Sequence, residues 1–111
     1  MKVEASPQGS VTVLLPHGPL TRDEDEDFRR AAAPSLIERH GRVVADMSDV
    51  PYLDSCGIET LLELFGESSF LLRPIVACLN ETCRDALDLT DVLPKLDVFD
   101  TVESALRSYS K

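Results

Sequence analysis

The chain has 111 residues, enough for one compact domain and too few for a second core. Hydrophobic residues make up 43% and charged residues 28%, an ordinary balance for a soluble globular protein rather than a disordered one. A net charge of −9 argues against nucleic acid or an anionic membrane surface as partner, because both need clustered Lys and Arg. A basic protein surface is the natural counterpart, although an acidic balance also simply favours solubility.

Met1-Lys2 leads into Val3-Glu4 without the apolar core of a secretory signal. Runs such as Phe70-Leu71-Leu72 fall far short of the roughly 20 residues that cross a bilayer, so a cytoplasmic location is expected. Cys56, Cys78 and Cys83 are odd in number and lack C-x-x-C spacing, which suits reduced thiols better than a disulfide framework or a zinc site. His17 and His40 lie far apart and beside no cysteine, so no metal or cofactor is expected.

Val3-Glu4-Ala5 reads as a short strand, Pro7-Gln8-Gly9-Ser10 as a hairpin turn, and Val11 to Leu15 as the next strand, closed by Pro16-His17-Gly18-Pro19. Thr21 is placed to cap a helix whose first turns carry Asp23 to Asp27 and whose later turns carry Arg29, Arg30, Arg39 and His40, matching the helix dipole. Phe28, Ala32, Leu36 and Ile37 form its apolar stripe; Pro34 is expected to kink or split it, and Gly41 to end it. Val43-Val44-Ala45 reads as a strand covered on both faces.

A helix from about Ser55 to Phe65, stopped near Gly66, carries Ile58, Leu61, Leu62 and Phe65 on one face. Pro74 to Leu79 is another buried strand, and Asn80 caps a helix running to Leu89. Leu96 to Phe99 is a last strand, and Thr101 caps a final helix. This alternation predicts an α/β domain with parallel βαβ crossovers and helices covering the sheet.

Asp54-Ser55-Cys56-Gly57 falls between a core strand and a helix, where ligands and partners of open α/β sheets meet the chain. Asp54 or Ser55 can cap the helix, and Gly57 can permit close packing or an unusual dihedral. The same position lets the Ser55 hydroxyl accept a phosphate, which adds about −1.5 to −2 charges and turns a docking surface into a repelling one. Glu59, Glu63 and Glu67 recur every fourth residue on the opposite face from the apolar stripe, either as a solvated face or as a row for a basic partner.

Catalysis finds little support. The motif is not G-x-S-x-G, neither histidine is an evident general base, and the five glycines form no phosphate loop. Cys56 at a helix start is a conceivable nucleophile, but it reads better as a small packed thiol. No catalytic residue is assigned.

The string Val43 to Ile58 resembles the STAS domain pattern of an apolar strand, D-x-S, a short apolar loop and D-S-S/T-G-L. Gly18-Pro19-Leu20-Thr21 is similar to the family's G-x-L-D turn, Leu87 to Val92 to its L-x-x-x-G-L, and Phe99 to Leu106 to its closing F-x-S-x-E-E-A-L. The resemblance covers nearly all of residues 1–111. It implies a STAS-like α/β fold: a single domain with a mixed sheet of four or five strands and about four helices. It further implies an anti-sigma-factor antagonist, one that binds a serine-kinase anti-sigma factor, is switched off by phosphorylation of Ser55, and is restored by a PPM-type phosphatase.

Magnesium-ATP then belongs to the kinase. Thr21, Asp54, Ser55, Cys56, Gly57, Glu59 and Glu63 are the expected partner-binding residues. Alternative functions within the family are an accessory subunit of a lipid-transport ABC complex and a small-ligand sensor. The chain departs from the pattern at Cys56 (usually Ser or Thr), Thr21 (usually Asp), Asp91 (usually Gly) and Arg73-Pro74, where a Gly often precedes the strand.

Overall fold

The computed structural model describes residues 1–38, 42–66 and 75–109, except the side chains of 35–38 and 64–66. The expectations placed on Arg39, His40, Gly41, Glu67, Phe70 to Leu72 and Arg73-Pro74, and on the side chains of Leu36, Ile37 and Phe65, lie outside those described residues. Two strands open the chain: β1 (Lys2–Gln8) pairs antiparallel with β2 (Val11–His17), and Gly9-Ser10 joins them. Gly9 takes a φ of +65°, which the two-residue turn demands and only glycine adopts freely.

Both strands run further than the sequence suggests, and in each the extension holds a proline. Pro7 lies in β1, an edge strand, where a missing N–H interrupts no second ladder. Pro16 pairs with Val3 of β1 beyond Leu14, where the pairing of β2 with the next strand has ended.

Helix α1 (Asp25–Glu38) starts a turn later than a Thr21 cap requires. The Thr21 carbonyl accepts from Glu24 N, and the Glu24 carbonyl from Phe28 N, so Glu24 rather than Thr21 stands at the helix entrance. Asp25, Glu26 and Asp27 then fill the first turn, the favourable end for negative charge. The helix continues through Pro34 and is not split. Pro34 is exposed, so the backbone carbonyl that loses its helical partner lies on the watered side of the helix.

Strand β3 (Val43–Asp46), helix α2 (Ser55–Gly66), strand β4 (Ile75–Ala77) and helix α3 (Glu81–Leu89) follow, then a short 3-10 turn at Leu93–Lys95, strand β5 (Asp97–Phe99) and helix α4 (Val102–Ser108). Two local caps stand where their side-chain chemistry predicts. Asn80 Oδ1 accepts from Cys83 N at 2.7 Å, and Thr101 Oγ1 from Ser104 N at 3.1 Å.

The five strands lie in the order β1-β2-β3-β4-β5, with β2 to β5 parallel. Strand alternation sends Leu14, Val43, Ala45 and Val76 to one face, where they pack with Phe28, Ala32, Ile58, Leu61, Cys83 and Leu87 from α1, α2 and α3. Val11, Val13, Val44, Ile75 and Ala77 point to the other face, covered by Val102, Ala105, Leu106 and Tyr109 at the α4 end of the chain. Buried on both faces, the central strands can be continuous apolar runs, as Val43-Val44-Ala45 is.

The end of α3 shows how one sequence departure is accommodated. Val92 N bonds the Leu87 carbonyl at 2.9 Å and Asp91 N the Asp88 carbonyl at 3.1 Å, a Schellman closure with Asp91 at φ +59°. A side chain there meets the left-handed penalty that glycine avoids, reduced for Asp by its short polar group. Asp91→Gly is expected to stabilise the fold by about 0.5 kcal/mol and raise the melting temperature by roughly 3 °C, read by thermal denaturation. A lowered melting temperature would mean that the Asp91 side chain supplies more than it strains.

Candidate functional site

Asp54 organises the start of α2. Its carboxylate accepts from Gly57 N at 2.9 Å through Oδ1 and from Arg22 N at 3.0 Å through Oδ2. Its own N–H bonds the Leu20 carbonyl at 3.2 Å, and its carbonyl accepts from Ile58 N at 3.0 Å. Of the two candidate caps, Asp54 therefore performs the capping and Ser55 is the first helical residue, with its side chain exposed. The Gly57 N–H above all, and the Arg22 N–H with it, hold the Asp54 carboxyl below the usual carboxylate range.

Because that carboxyl ionises more readily in the folded chain, its contribution is present above the unfolded value near pH 3.9 and is lost as pH falls through the lower folded value. Asp54→Ala is expected to cost about 1–2 kcal/mol at pH 7, with the gap from the parent protein narrowing below about pH 4. Denaturant titrations at both pH values measure this; a constant gap would show that the carboxylate charge plays no part.

Gly57 is buried, and it acts through what it lacks. A Cβ built there would lie 3.0 Å from the Leu20 carbonyl carbon and closer still to its oxygen. This contact lets α2 press against the segment at Leu20, which also forms a parallel bridge to Leu53 and donates Leu20 N to the Tyr52 carbonyl at 3.1 Å. Among the expected partner-binding residues, Gly57 thus offers a partner no side-chain surface. Thr21 and Cys56 are partly exposed beside it, and the Cys56 carbonyl accepts from Thr60 Oγ1 at 2.9 Å.

The acidic row divides. Glu59 is exposed, whereas Glu63 accepts from Arg29 of α1 at 2.6 Å; Arg29 also reaches Thr60 Oγ1 at 3.2 Å and Asp25 at 3.6 Å. Glu63 thus joins α1 and α2 through Arg29, with its side chain still 51% exposed. Glu67 is outside the described residues.

The loop leading to the motif is held from three sides. Asn80 Nδ2 donates to the Val50 carbonyl at 3.1 Å and the Pro51 carbonyl at 3.2 Å. Gly18 N bonds the Asp49 carbonyl at 3.0 Å, and the Asp49 carboxylate bonds His17 Nδ1. Asp49, with Glu4 at 3.5 Å from Nε2, raises the His17 pKa. His17 is thus tied into structure.

Burial pushes the thiols of Cys78 and Cys83 up, away from the reactive thiolate. Tyr52, which sequence reasoning did not single out, is 50% exposed between buried Val50 and Leu53. Its signal was an aromatic in a short loop, between exposed Pro51 and buried Leu53. Among the described residues, no group of three or more His, Cys, Asp or Glu is placed to hold a metal, and no helix is long and apolar enough to cross a membrane.

Comparison with known proteins places this geometry in a family. No curated protein matches the chain in sequence. An anti-sigma factor antagonist from Mycobacterium paratuberculosis is 17% identical, with 99% of this chain and 94% of that one covered at a TM-score of 0.84. An anti-sigma-factor antagonist (STAS) domain protein from Planctomyces limnophilus is 19% identical over 98% of each chain, at 0.79.

The Bacillus cell fate determinant SpoIIAA in its phosphorylated form is 15% identical, covering 97% of this chain and 99% of that one, at 0.66. Identities this low show a common fold. The STAS domain family matches residues 2–105, nearly the whole chain. With a five-stranded mixed sheet and four α-helices among the described residues, and Asp54 capping the helix that Ser55 opens, this chain belongs to the STAS domain family.

Proposed function

We propose that this chain is a cytoplasmic anti-sigma-factor antagonist, not an enzyme. It docks on a serine-kinase anti-sigma factor through the surface around Ser55 and is released when that kinase phosphorylates Ser55. The observation that carries this reading is the exposed Ser55 side chain on the first turn of α2, beside a carboxylate that already accepts from the Gly57 amide of that turn and from Arg22 N. Likeness to solved anti-sigma factor antagonists, one of them in a phosphorylated form, supports it.

The physical consequence follows from Asp54. Free amides at a helix start ordinarily steady an anion, but here the Asp54 carboxylate takes the Gly57 N–H. A phosphate on Ser55 stands next to an ionised neighbour and must stay in water. Two negative charges brought to within about 5 Å of a carboxylate would repel it by about 1–2 kcal/mol even at the dielectric of water. Docking would strip that water and raise the penalty. A PPM-type phosphatase that removes the group restores the docking form.

The test is incubation of the chain with candidate serine-kinase anti-sigma factors and magnesium-ATP, followed by mapping of any phosphate. Incorporation at Ser55 that disappears in Ser55→Ala is the expected result. A chain that neither binds nor is modified by any such kinase would overturn the reading.

A further inference from the structure

We propose that His17 is a pH-sensitive latch: as an imidazolium it fastens the loop that leads to Ser55 to the edge of the sheet, and on losing a proton it lets go of one side. The latch itself stands apart from the antagonist reading, which enters only through the role given to Ser55.

Two carboxylates from different segments meet one ring. The Asp49 carboxylate, on the loop between β3 and α2, bonds His17 Nδ1, and Glu4 Oε1 of the edge strand β1 lies 3.5 Å from Nε2. A neutral imidazole carries one N–H and one bare lone pair. Whichever tautomer forms, the bare nitrogen faces a carboxylate oxygen, lone pair against lone pair. Only the doubly protonated ring presents a donor to each side.

Surface ion pairs often contribute little, because water replaces whichever partner leaves. On one side of this ring that replacement is blocked. Nε2 is shut off from solvent and makes no hydrogen bond among the described residues, although the side chain as a whole is 31% exposed. A bare nitrogen there has neither water nor a donor, the costly state for a buried polar atom.

The charged groups beside the ring are Asp49 from the loop and Glu4 and Lys2 from β1. Lys2 pairs with His17 across the ladder, and its Nζ reaches Glu4 Oε1 at 3.7 Å. When the ring is neutral, Lys2 is a ready alternative partner for Glu4, so the β1 contact is the one released. Asp49 keeps the Nδ1 hydrogen bond but loses the opposite charge behind it. The bond from Gly18 N to the Asp49 carbonyl does not titrate, so the loop is loosened rather than freed.

Asp49 above all, and Glu4 with it, raise the His17 pKa against the cost of taking the ring out of water. With the folded value above the unfolded one, the latch contributes fully below about pH 6.5 and is lost as pH rises through the folded value. An alkaline shift therefore slackens the loop before Ser55, and acid does not.

The test is a magnetic-resonance titration of the imidazole protons of the full chain, with His40→Gln used to assign the two signals. His17 is expected to titrate above about pH 6.5, and Asp49→Asn to lower that value more than Glu4→Gln does. Hydrogen exchange then reads the loop. His17→Gln keeps a side-chain donor but cannot titrate, and the intrinsic exchange chemistry of residues 47–54 is the same in both chains. At about pH 6 the loop should exchange about threefold faster in His17→Gln than in wild type, with the ratio falling below about 1.5 near pH 9. A His17 that titrates at or below about pH 6.5, or an exchange ratio equal at both pH values, overturns the latch and leaves the antagonist reading standing. Glu4→Gln, on the open edge strand, serves as the second variant where Asp49→Asn fails to fold.

Discussion

Gly57→Ala is expected to lower the stability of this domain by about 2–3 kcal/mol, a fall of roughly 10–20 °C in melting temperature. Helix propensity alone predicts the opposite sign, because alanine in a helix interior is about 0.5–1 kcal/mol better than glycine. The contact at Leu20 decides between them. The new methyl would fall inside contact distance of a backbone carbonyl, which cannot swing aside as a side-chain end can. Relief requires α2 to move off the Leu20 segment and so strains the Leu20–Leu53 bridge and the Asp54 N–H to Leu20 bond. Thermal denaturation followed by circular dichroism measures the change, and an unchanged or raised melting temperature would show that the helix start can shift freely.

Phosphorylation of Ser55 is expected to weaken binding to the cognate anti-sigma kinase by about 100-fold, equivalent to about 2.7 kcal/mol. The group adds nearly two negative charges beside Asp54, whose carboxylate is already satisfied by Gly57 and Arg22 amides and stays ionised. Ser55→Asp adds one charge and less bulk, so about a tenfold loss is expected; Ser55→Ala should bind within about threefold of wild type. Raising salt from about 0.1 to about 0.5 M should narrow the gap between wild type and the Ser55→Asp variant, since part of it is screened repulsion. Equal affinity of the phosphorylated and unmodified chains, measured by titration calorimetry, would place the docking surface elsewhere on the molecule.

Features with a local cause were legible in the sequence. Asn80 and Thr101 cap α3 and α4 because a cap is made by a side chain and an amide three residues on. Helix α2 begins at Ser55 because Asp54 precedes an apolar stripe of helical period. Strand runs rich in Val, Leu and Ala placed β2, β3 and β4, and their alternation with helices announced a mostly parallel sheet.

Features that depend on partners distant in sequence were not legible. Strand β1 runs through Pro7 because β2 pairs with it and its other edge is open, while α1 crosses Pro34 because that side meets water. The acidic row on α2 was visible as a pattern, but only the approach of α1 shows that Glu63 belongs to Arg29.

The same division runs through Asp54-Ser55-Cys56-Gly57. Residue types and spacing alone determined that a capped helix starts here with a serine in its first turn, since capping and helical period act within a few residues. Tertiary structure decided which residue caps, that Ser55 is the one left outward, that Gly57 is needed by the Leu20 carbonyl, and that Tyr52 stands exposed on a pinned loop. Those outcomes depend on segments far apart in the chain being pressed together, as Arg22 and Asp54 are. Contact between such segments is set by the packing of the whole sheet rather than by any local preference.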